Sequence, residues 1–271
     1  MTGNLELPVD PKKLADSEAP VLVLIGDDFR NRFDGQLEYH AVKNRFLLFY
    51  NTKYDAALPA GTHHPRTRFS IGHELGHFYL ERHHAYLRDG GTPHGSRGEF
   101  VNVIAVEQEA DAFAVGLLLP ERLIRAHVND GELTLQRIEE LAAVCQTSLV
   151  STAIRAVELS HFSCALVGLR KGAVAWSTAS SGLIEAGLYP PARGDKGSST
   201  AIAQWAEFES GHARKAKRSA FASQWFRSYE REHLRHIHVE EQYLPVPTME
   251  TLVVLLSVPE DELEREDEGE E

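Results

Sequence analysis

The sequence predicts an α+β fold in which an N-terminal domain with a helical segment is followed by a smaller α+β C-terminal domain. Amphipathic helical patterns run through residues 68–81 and 106–160, and apolar runs typical of strands lie at residues 37–50 and 162–177. After residue 160 the pattern changes from mainly helical to mixed. A chain of 271 residues is long enough to form two cores of this kind.

Four segments follow from these patterns. Residues 1–120 form the first domain, residues 121–160 a helical segment, and residues 161–258 the C-terminal domain. Residues 259–271 are predicted to be an acidic disordered tail. The last twelve residues hold nine acidic side chains and one Arg, so most of the net charge of −12 belongs to the tail.

Composition favours a soluble, cytoplasmic protein. Hydrophobic residues make up 42% and charged residues 25%, which is ordinary for globular proteins. Apolar runs are too short to span a membrane, and the first residues lack the pattern of a signal segment. Cys145 and Cys164 lie in apolar sequence and indicate no disulfide framework.

Short elements precede the first amphipathic helix. Residues 12–16 are a candidate helix, and the apolar residues 21–25 suit a buried strand or a helix turn. Residues 37–50 predict two strands that turn at Lys43 and Asn44.

Residues 68–81 contain a His-Glu-x-x-His motif at positions 73–77, within a helical pattern. His73 and His77 are one turn apart, so both imidazoles lie on one helix face and can bind the same metal ion. Glu74 lies beside them, where a carboxylate can take a proton from water. An ordinary buried helix with two satisfied histidines is the alternative.

Helix propensity does not explain why two glycines lie in the interior of this helix. Gly72 and Gly76 each cost about 1 kcal/mol relative to Ala in a helix interior. Ile71, Leu75 and Phe78 form an apolar stripe that can face a core. We therefore expect the glycines to let another segment approach the helix closely.

A third metal ligand is available in the helix of residues 106–120. Glu107 and Asp111 are four residues apart and share a face. Glu107 can complete a His-His-Glu set with an open fourth position, and Asp111 can accept a hydrogen bond from a ligating histidine. Glu109 is the rival ligand, but it points about 200 degrees away from Glu107.

These residues carry a family resemblance. Arg68-Phe-Ser-Ile-Gly-His-Glu-Leu-Gly-His77, then Glu107-Gln-Glu-Ala-Asp-Ala-Phe-Ala114 and Leu117-Leu-Leu-Pro120, resemble the ImmA/IrrE family of bacterial metallopeptidases. The resemblance extends over about residues 20–160.

The resemblance implies a zincin-like metallopeptidase domain in residues 1–120. It implies a zinc-dependent endopeptidase that cleaves a helix-turn-helix repressor and so switches on stress, DNA-damage or antiviral defence genes. It also implies that His73, His77 and Glu107 bind Zn²⁺. Asp111 stands where many relatives have Asn, a departure that the hydrogen bond proposed for Asp111 accommodates.

Two features near the motif remain open. In zinc peptidases an edge strand beside the metal often holds the substrate as an added strand. Residues 46–50 are the candidate, with a simple core strand as the alternative. Half of the fourteen histidines fall between residues 63 and 94. His83, His84 and His94 lie in the link between the two metal-binding helices. We expect most of the histidines outside the motif to face solvent, although one could stabilise the oxyanion.

Residues 121–160 are predicted to form three helices, at 121–128, 135–145 and 148–159. Thr134 and Thr147 or Ser148 are candidate N-caps. The arrangement resembles a helix-turn-helix, which makes DNA binding the obvious alternative to packing behind the metal site. The third helix carries one cation, whereas contacts to phosphates need a cluster.

The C-terminal domain shows no second catalytic motif, which favours a sensor or recognition role. Residues 162–169 and 173–177 predict a β-hairpin, residues 202–210 and 219–232 predict helices, and residues 251–258 predict a strand.

A basic stretch in this domain is a candidate site for single-stranded nucleic acid. Between residues 196 and 238 there are eight Lys or Arg against four Glu. Cations that follow phosphates and rings that stack on bases are what such binding requires. The cations are Arg214, Lys215, Lys217 and Arg218, and the rings are Phe221, Trp225, Phe226 and Tyr229. The alternative is that Phe221, Trp225 and Tyr229, four residues apart, form the core face of a helix.

The sequence thus predicts a zinc metalloendopeptidase with a repressor as its substrate and Glu74 as its general base. The alternative function is a metal-stabilised regulator that binds nucleic acid or a repressor partner without cutting it.

Overall fold

The structure is a computed structural model that describes residues 6–93, 95–96, 105–228 and 236–264. The helices are α1 (Pro11–Asp16), α2 (Pro65–Tyr79), α3 (Glu81–Arg88), α4 (Ala105–Leu118), α5 (Glu121–Val128), α6 (Leu135–Cys145), α7 (Leu149–Leu159), α8 (Ser181–Glu185), α9 (Ser199–Glu209) and α10 (Glu260–Glu264). The strands are β1 (Leu22–Asp27), β2 (Gly35–His40), β3 (Arg45–Asn51), β4 (Gly95–Ser96), β5 (Cys164–Arg170), β6 (Ala173–Ala179), β7 (Ala216–Phe221), β8 (His238–Val246) and β9 (Thr251–Ser257). The predicted α+β class is confirmed.

Two compact units divide the chain. Met1–Leu123 and Ala142–Ser151 form the first unit, and Ile124–Leu141 and Thr152–Glu271 form the second. This division differs from the predicted boundaries, because the helices of residues 121–160 belong partly to each unit rather than to a segment of their own.

The sheet of the first unit has the strand order β1-β3-β2-β4. β3 pairs in parallel with β1, and antiparallel with β2, where Leu37 lies opposite Leu48. β3 is therefore an interior strand, and the prediction that residues 46–50 form an edge strand for the substrate is wrong. The turn expected at Lys43 and Asn44 is present, with Asn44 in the left-handed region.

Helix α2 lies in the core of the first unit. Its predicted apolar stripe, Ile71, Leu75 and Phe78, is buried in the cluster that also contains the sheet residues Phe46 and Leu48. Burial of this stripe explains why a helix with many polar residues is stable here.

The two glycines of α2 face α4. A Cβ on Gly76 would lie 3.1 Å from the Cα of Ala110, and a Cβ on Gly72 would lie 3.4 Å from the Cβ of Ala114. The expected close approach of a second segment is confirmed, and it brings the acidic residues of α4 next to the histidines of α2.

The three predicted helices of residues 121–160 are present as α5, α6 and α7. Thr134 Oγ1 accepts a hydrogen bond from the backbone N–H of Arg137 at 3.3 Å, and Ser148 Oγ accepts one from Ser151 at 3.2 Å. Both residues therefore act as the expected caps. Arg155, the one cation of α7, bonds Glu158 at 3.3 Å, and this contact adds no support for DNA binding.

The second unit is built on an antiparallel sheet with the strand order β6-β5-β9-β8-β7. The predicted hairpin joins β5 to β6, and its turn places Lys171 and Gly172 at positive φ. The central strand β9 is buried along nearly its whole length. Of the strands β7, β8 and β9 that follow the hairpin, the sequence predicted β9 alone.

Residues 219–228 are not helical, so the helix predicted for residues 219–232 is wrong over its described part. The backbone of β7 pairs with β8, with Ala220 opposite Val239, and a short 3-10 turn follows at Ala222–Gln224. The helical spacing of the aromatic residues is overridden by strand pairing, which local periodicity does not report. Residues 229–235, including Tyr229, lie outside the described residues.

The first part of the acidic C-terminus is helical, whereas we expected residues 259–271 to be disordered. Residues 260–264 form α10, and Leu263 packs against the core of the second unit. Residues 265–271 lie outside the described residues. Among the helices that the structure describes, none is both long and apolar enough to cross a membrane.

Candidate metal centre

Three side chains from α2 and α4 converge at one point of the first unit. The Nε2 atoms of His73 and His77 are 3.1 Å apart. The carboxylate of Glu107 lies 3.2 Å from Nε2 of His73 and 3.6 Å from Nε2 of His77. All three offer a ligand atom within 4.8 Å of the others. Two imidazole nitrogens and one carboxylate oxygen at this spacing fit a divalent ion such as Zn²⁺ with an open fourth position.

Asp111 holds the imidazole of His73 from its other side. Its Oδ1 lies 2.8 Å from Nδ1 of His73. Because the carboxylate accepts, Nδ1 carries a proton, and Nε2 is the ring nitrogen that faces Glu107 and His77. One helical turn on α4 separates Glu107 from Asp111, as their spacing predicted.

Glu109 lies away from this group. Its Oε2 is 2.9 Å from Nε2 of His83, and Nδ1 of His83 is 3.1 Å from Nδ1 of His77. The structure therefore places Glu107, and not Glu109, against the two histidines of the motif. The role of His83 was not predicted, because its position in the chain follows the motif helix and no spacing rule links it to His77.

Glu74 is 1% exposed and sits beside the strand β2. Its Oε1 accepts a hydrogen bond from Oγ of Ser96 at 2.6 Å. A Cβ on Gly35 would lie 2.7 Å from the same oxygen, so the absence of a side chain there makes room for the carboxylate. Ser96 belongs to β4, which pairs with β2.

Burial dominates the acidity of Glu74. It raises the pKa of Glu74 to about 7, against the opposing effects of the charge on His73 and the hydrogen bond from Ser96. A carboxyl group with a pKa near neutrality can both accept and donate a proton at physiological pH.

The pKa of His73 is also raised, although burial acts on it in the opposite direction. Burial alone would lower the pKa of His73, but the hydrogen bonds to Asp111 and Glu107, together with the nearby charge of Glu74, raise it to about 10. In the metal-free protein His73 therefore holds a proton at neutral pH, and a metal ion must displace it.

The other histidines of this region are more buried than we expected. Among those outside the motif that the structure describes, His83 is buried and His63, His64 and His84 are half-buried, so they face solvent less than expected. His63 pairs with Asp55 at 2.7 Å, His64 caps α2, and Nδ1 of His84 lies 2.8 Å from the carbonyl oxygen of Phe78. His94 and Arg97 lie outside the described residues.

The basic stretch of the second unit lies on and before the edge strand β7. Lys215 and Lys217 form ion pairs with Glu139 and Glu240. Phe221 is 46% exposed and its ring lies 4.9 Å from that of His238.

Two of the rings predicted to stack on bases are in the core. Trp225 and Phe226 are 3% and 6% exposed and belong to the hydrophobic cluster of the second unit. The core interpretation is therefore confirmed for Trp225, although Trp225 does not lie on a helix, and it is wrong for Phe221, which is exposed.

Comparison with known families supports the predicted resemblance. Residues 39–157 match the family described as Peptidase_M78, IrrE N-terminal-like domain. The matched residues include α2 and α4, which carry the histidines, Glu74, Glu107 and Asp111. No curated protein sequence matches the chain.

Proposed function

We propose, on the premise that residues 39–157 are an IrrE N-terminal-like domain of the Peptidase_M78 family, that this protein is a zinc-dependent endopeptidase. The observation that carries the proposal is the convergence of His73, His77 and Glu107, with the buried carboxyl group of Glu74 on the same helix as the histidines. His73, His77 and Glu107 would hold the ion.

Each residue of the site has a defined task in peptide hydrolysis. The zinc ion held by His73, His77 and Glu107 would polarise the scissile carbonyl group and make water more acidic. Glu74 takes a proton from the attacking water and then donates it to the nitrogen of the leaving amine, and burial favours both steps because it raises the pKa of this carboxyl group. Asp111 keeps His73 in the tautomer that leaves Nε2 free to bind metal.

We further propose that the substrate is a helix-turn-helix transcriptional repressor and that its cleavage switches on stress, DNA-damage or defence genes. Support comes from the resemblance of the two motifs to the ImmA/IrrE family.

The variant Glu74→Gln tests the chemistry, because it keeps the shape of the side chain but cannot accept the proton. We expect the purified variant to bind zinc as the wild type does and to lose cleavage of the cognate repressor by at least about 100-fold. Cleavage at the wild-type rate would contradict the assignment of Glu74.

The substrate is tested by incubating the wild-type enzyme with the repressors encoded beside its gene and identifying fragments by mass spectrometry. A single cleavage site in one repressor is the expected result. Rapid digestion of casein would indicate a general protease. Binding of the repressor by wild-type protein without cleavage would indicate the alternative, a metal-stabilised regulator.

A further inference from the structure

We propose that His83, held by Glu109, positions His77 for metal binding in the way that Asp111 positions His73. The inference rests on the proposed function only through the metal site. It assigns a task to two residues that the peptide-hydrolysis scheme does not use.

The contacts form a continuous chain of three side chains. His83 lies in the first turn of α3 and is 4% exposed. Its Nδ1 is 3.1 Å from Nδ1 of His77, and its Nε2 is 2.9 Å from Oε2 of Glu109. His77 thus meets His83 with one ring nitrogen and faces His73 and Glu107 with the other.

The hydrogen-bond donors and acceptors of His77, His83 and Glu109 determine which ring nitrogen of each histidine carries its proton. His77 needs the lone pair of Nε2 for a metal ion, so its Nδ1 carries the proton and donates. Nδ1 of His83 must then accept, which leaves the proton of His83 on Nε2. That proton is donated to the carboxylate of Glu109. In this arrangement each ring nitrogen of His77 and His83 donates a hydrogen bond, accepts one or faces the metal position.

The arrangement explains why Glu109 does not compete with Glu107. Both lie on α4, but Glu109 is directed to the start of α3, where its side chain is 56% exposed. Glu107 is directed to the histidines of the motif. The exposed Glu109 fixes the tautomer of His83, whereas the buried His83 makes the contact with His77.

A purely structural role for His83 is the competing explanation. A structural residue would contribute to the stability of the fold with or without metal. A positioning residue acts on metal affinity, and groups that hold a metal-binding histidine are worth about 10–100-fold in affinity. Metal affinity and metal-free stability therefore separate the two roles.

The experiment measures Zn²⁺ affinity of the full-length protein by competition with a fluorescent chelator, and thermal unfolding of the metal-free protein. The variants are His83→Ala, His83→Gln and Glu109→Gln. His84→Ala is the matched control, because His84 is the adjacent histidine of the same helix and bonds Phe78 instead of His77. We expect a loss of about 10–100-fold for His83→Ala and a smaller loss for Glu109→Gln.

Rescue by a conservative change supplies the decisive comparison. The side-chain oxygen of Gln can accept the proton of His77, so His83→Gln should retain affinity within about 5-fold of the wild type. Equal affinity in His83→Ala and His84→Ala overturns the inference. Equal losses of affinity in His83→Ala and His83→Gln, with equal losses of metal-free stability, overturn it as well.

A double-variant comparison covers the case in which His83→Ala does not fold. In a His77→Ala background, Glu109→Gln should cause no further loss of Zn²⁺ affinity, because Glu109 and His83 act through His77. Additive losses would mean that His83 acts elsewhere. A protein that binds no divalent ion in any form contradicts the proposed function, whereas normal binding by all variants contradicts this inference alone.

Discussion

The hydroxyl of Ser96 donates a hydrogen bond of 2.6 Å to Oε1 of Glu74, inside a site where Glu74 is 1% exposed. This bond joins the short strand β4 to the carboxyl group that we propose as general base. It stabilises the charged form of Glu74 and thereby opposes the effect of burial on its pKa.

Removing this hydroxyl should make Glu74 less acidic. In Ser96→Ala we expect the acid limb of the pH profile of kcat/KM to move to higher pH by about 0.5–1 unit. Ser96→Thr retains a hydroxyl and serves as the control. An acid limb that stays in place in Ser96→Ala would show that the bond does not influence the ionisation of Glu74.

The buried carboxyl group of Glu74 should also affect stability. Its pKa is raised from 4.5 to about 7, so between these values the folded protein retains a proton that the unfolded chain has released. The free energy of unfolding of the metal-free protein therefore falls as the pH rises through this window. In Glu74→Gln this loss is absent, which should make the variant more stable than wild type by about 2–4 kcal/mol above the window.

Denaturant unfolding of the metal-free proteins on both sides of the window measures this difference. The control is the same comparison below the window, where Glu74 is protonated in both states and its titration contributes nothing. A stability difference that does not change with pH contradicts the prediction.

Metal binding should depend on pH through His73. Because its pKa is about 10 in the metal-free protein, binding of Zn²⁺ at neutral pH must release its proton. We expect the logarithm of the affinity to rise by about one unit per pH unit near neutrality. Calorimetry in buffers of different ionisation enthalpy counts the released protons.

The variant Asp111→Asn tests the origin of this dependence. Asn can still accept the hydrogen bond of His73 but does not favour its charged form, so the slope should decrease. A slope equal to that of the wild type would mean that Asp111 does not determine the protonation of His73.

The glycines of α2 offer a matched pair of substitutions. In Gly76→Ala the new methyl group would lie 3.1 Å from the backbone of Ala110, which cannot move without shifting α4. We expect a loss of stability of about 1–3 kcal/mol and weaker metal binding, since α4 carries Glu107. Gly72→Ala makes an ordinary contact with Ala114, so it should be neutral or gain up to about 1 kcal/mol. Urea unfolding compares the two, and a milder effect for Gly76→Ala contradicts the close packing.

Nucleic-acid binding by the second unit remains a prediction from its basic stretch. Lys215 and Lys217 are ion-paired, so we expect Arg214 and Arg218 to make the larger contributions. The variant Arg214→Gln/Arg218→Gln should weaken the salt-dependent mobility shift of short single-stranded DNA about tenfold or more, and neutralising all four cations should abolish it. The control Lys43→Gln/Arg122→Gln removes the same charge from other exposed positions. No shift at low salt with the wild-type protein would disprove the prediction.

Local periodicity was sufficient for much of the fold. The His-Glu-x-x-His helix, the three helices of residues 121–160, the hairpin of β5 and β6, and the strand β9 were all predicted. Each depends on an apolar repeat or a turn within a short stretch, which the sequence displays directly. The helix proposed for residues 219–232 shows the limit, because aromatic residues four apart also fit a strand followed by a turn once β8 supplies the pairing partner.

The sequence by itself determined which side chains share a helix face: His73 with His77, and Glu107 with Asp111. Fixed helical geometry makes such pairs predictable from spacing alone. Only the tertiary structure decided that β3 lies inside the sheet, that Ser96 meets Glu74, and that His83 and Glu109 stand behind His77. The contacts of Ser96 with Glu74 and of Glu109 with His83 join residues 22 and 26 positions apart, and their partners are selected by strand pairing and by the close approach of α4 to α2. No short-range pattern encodes that choice.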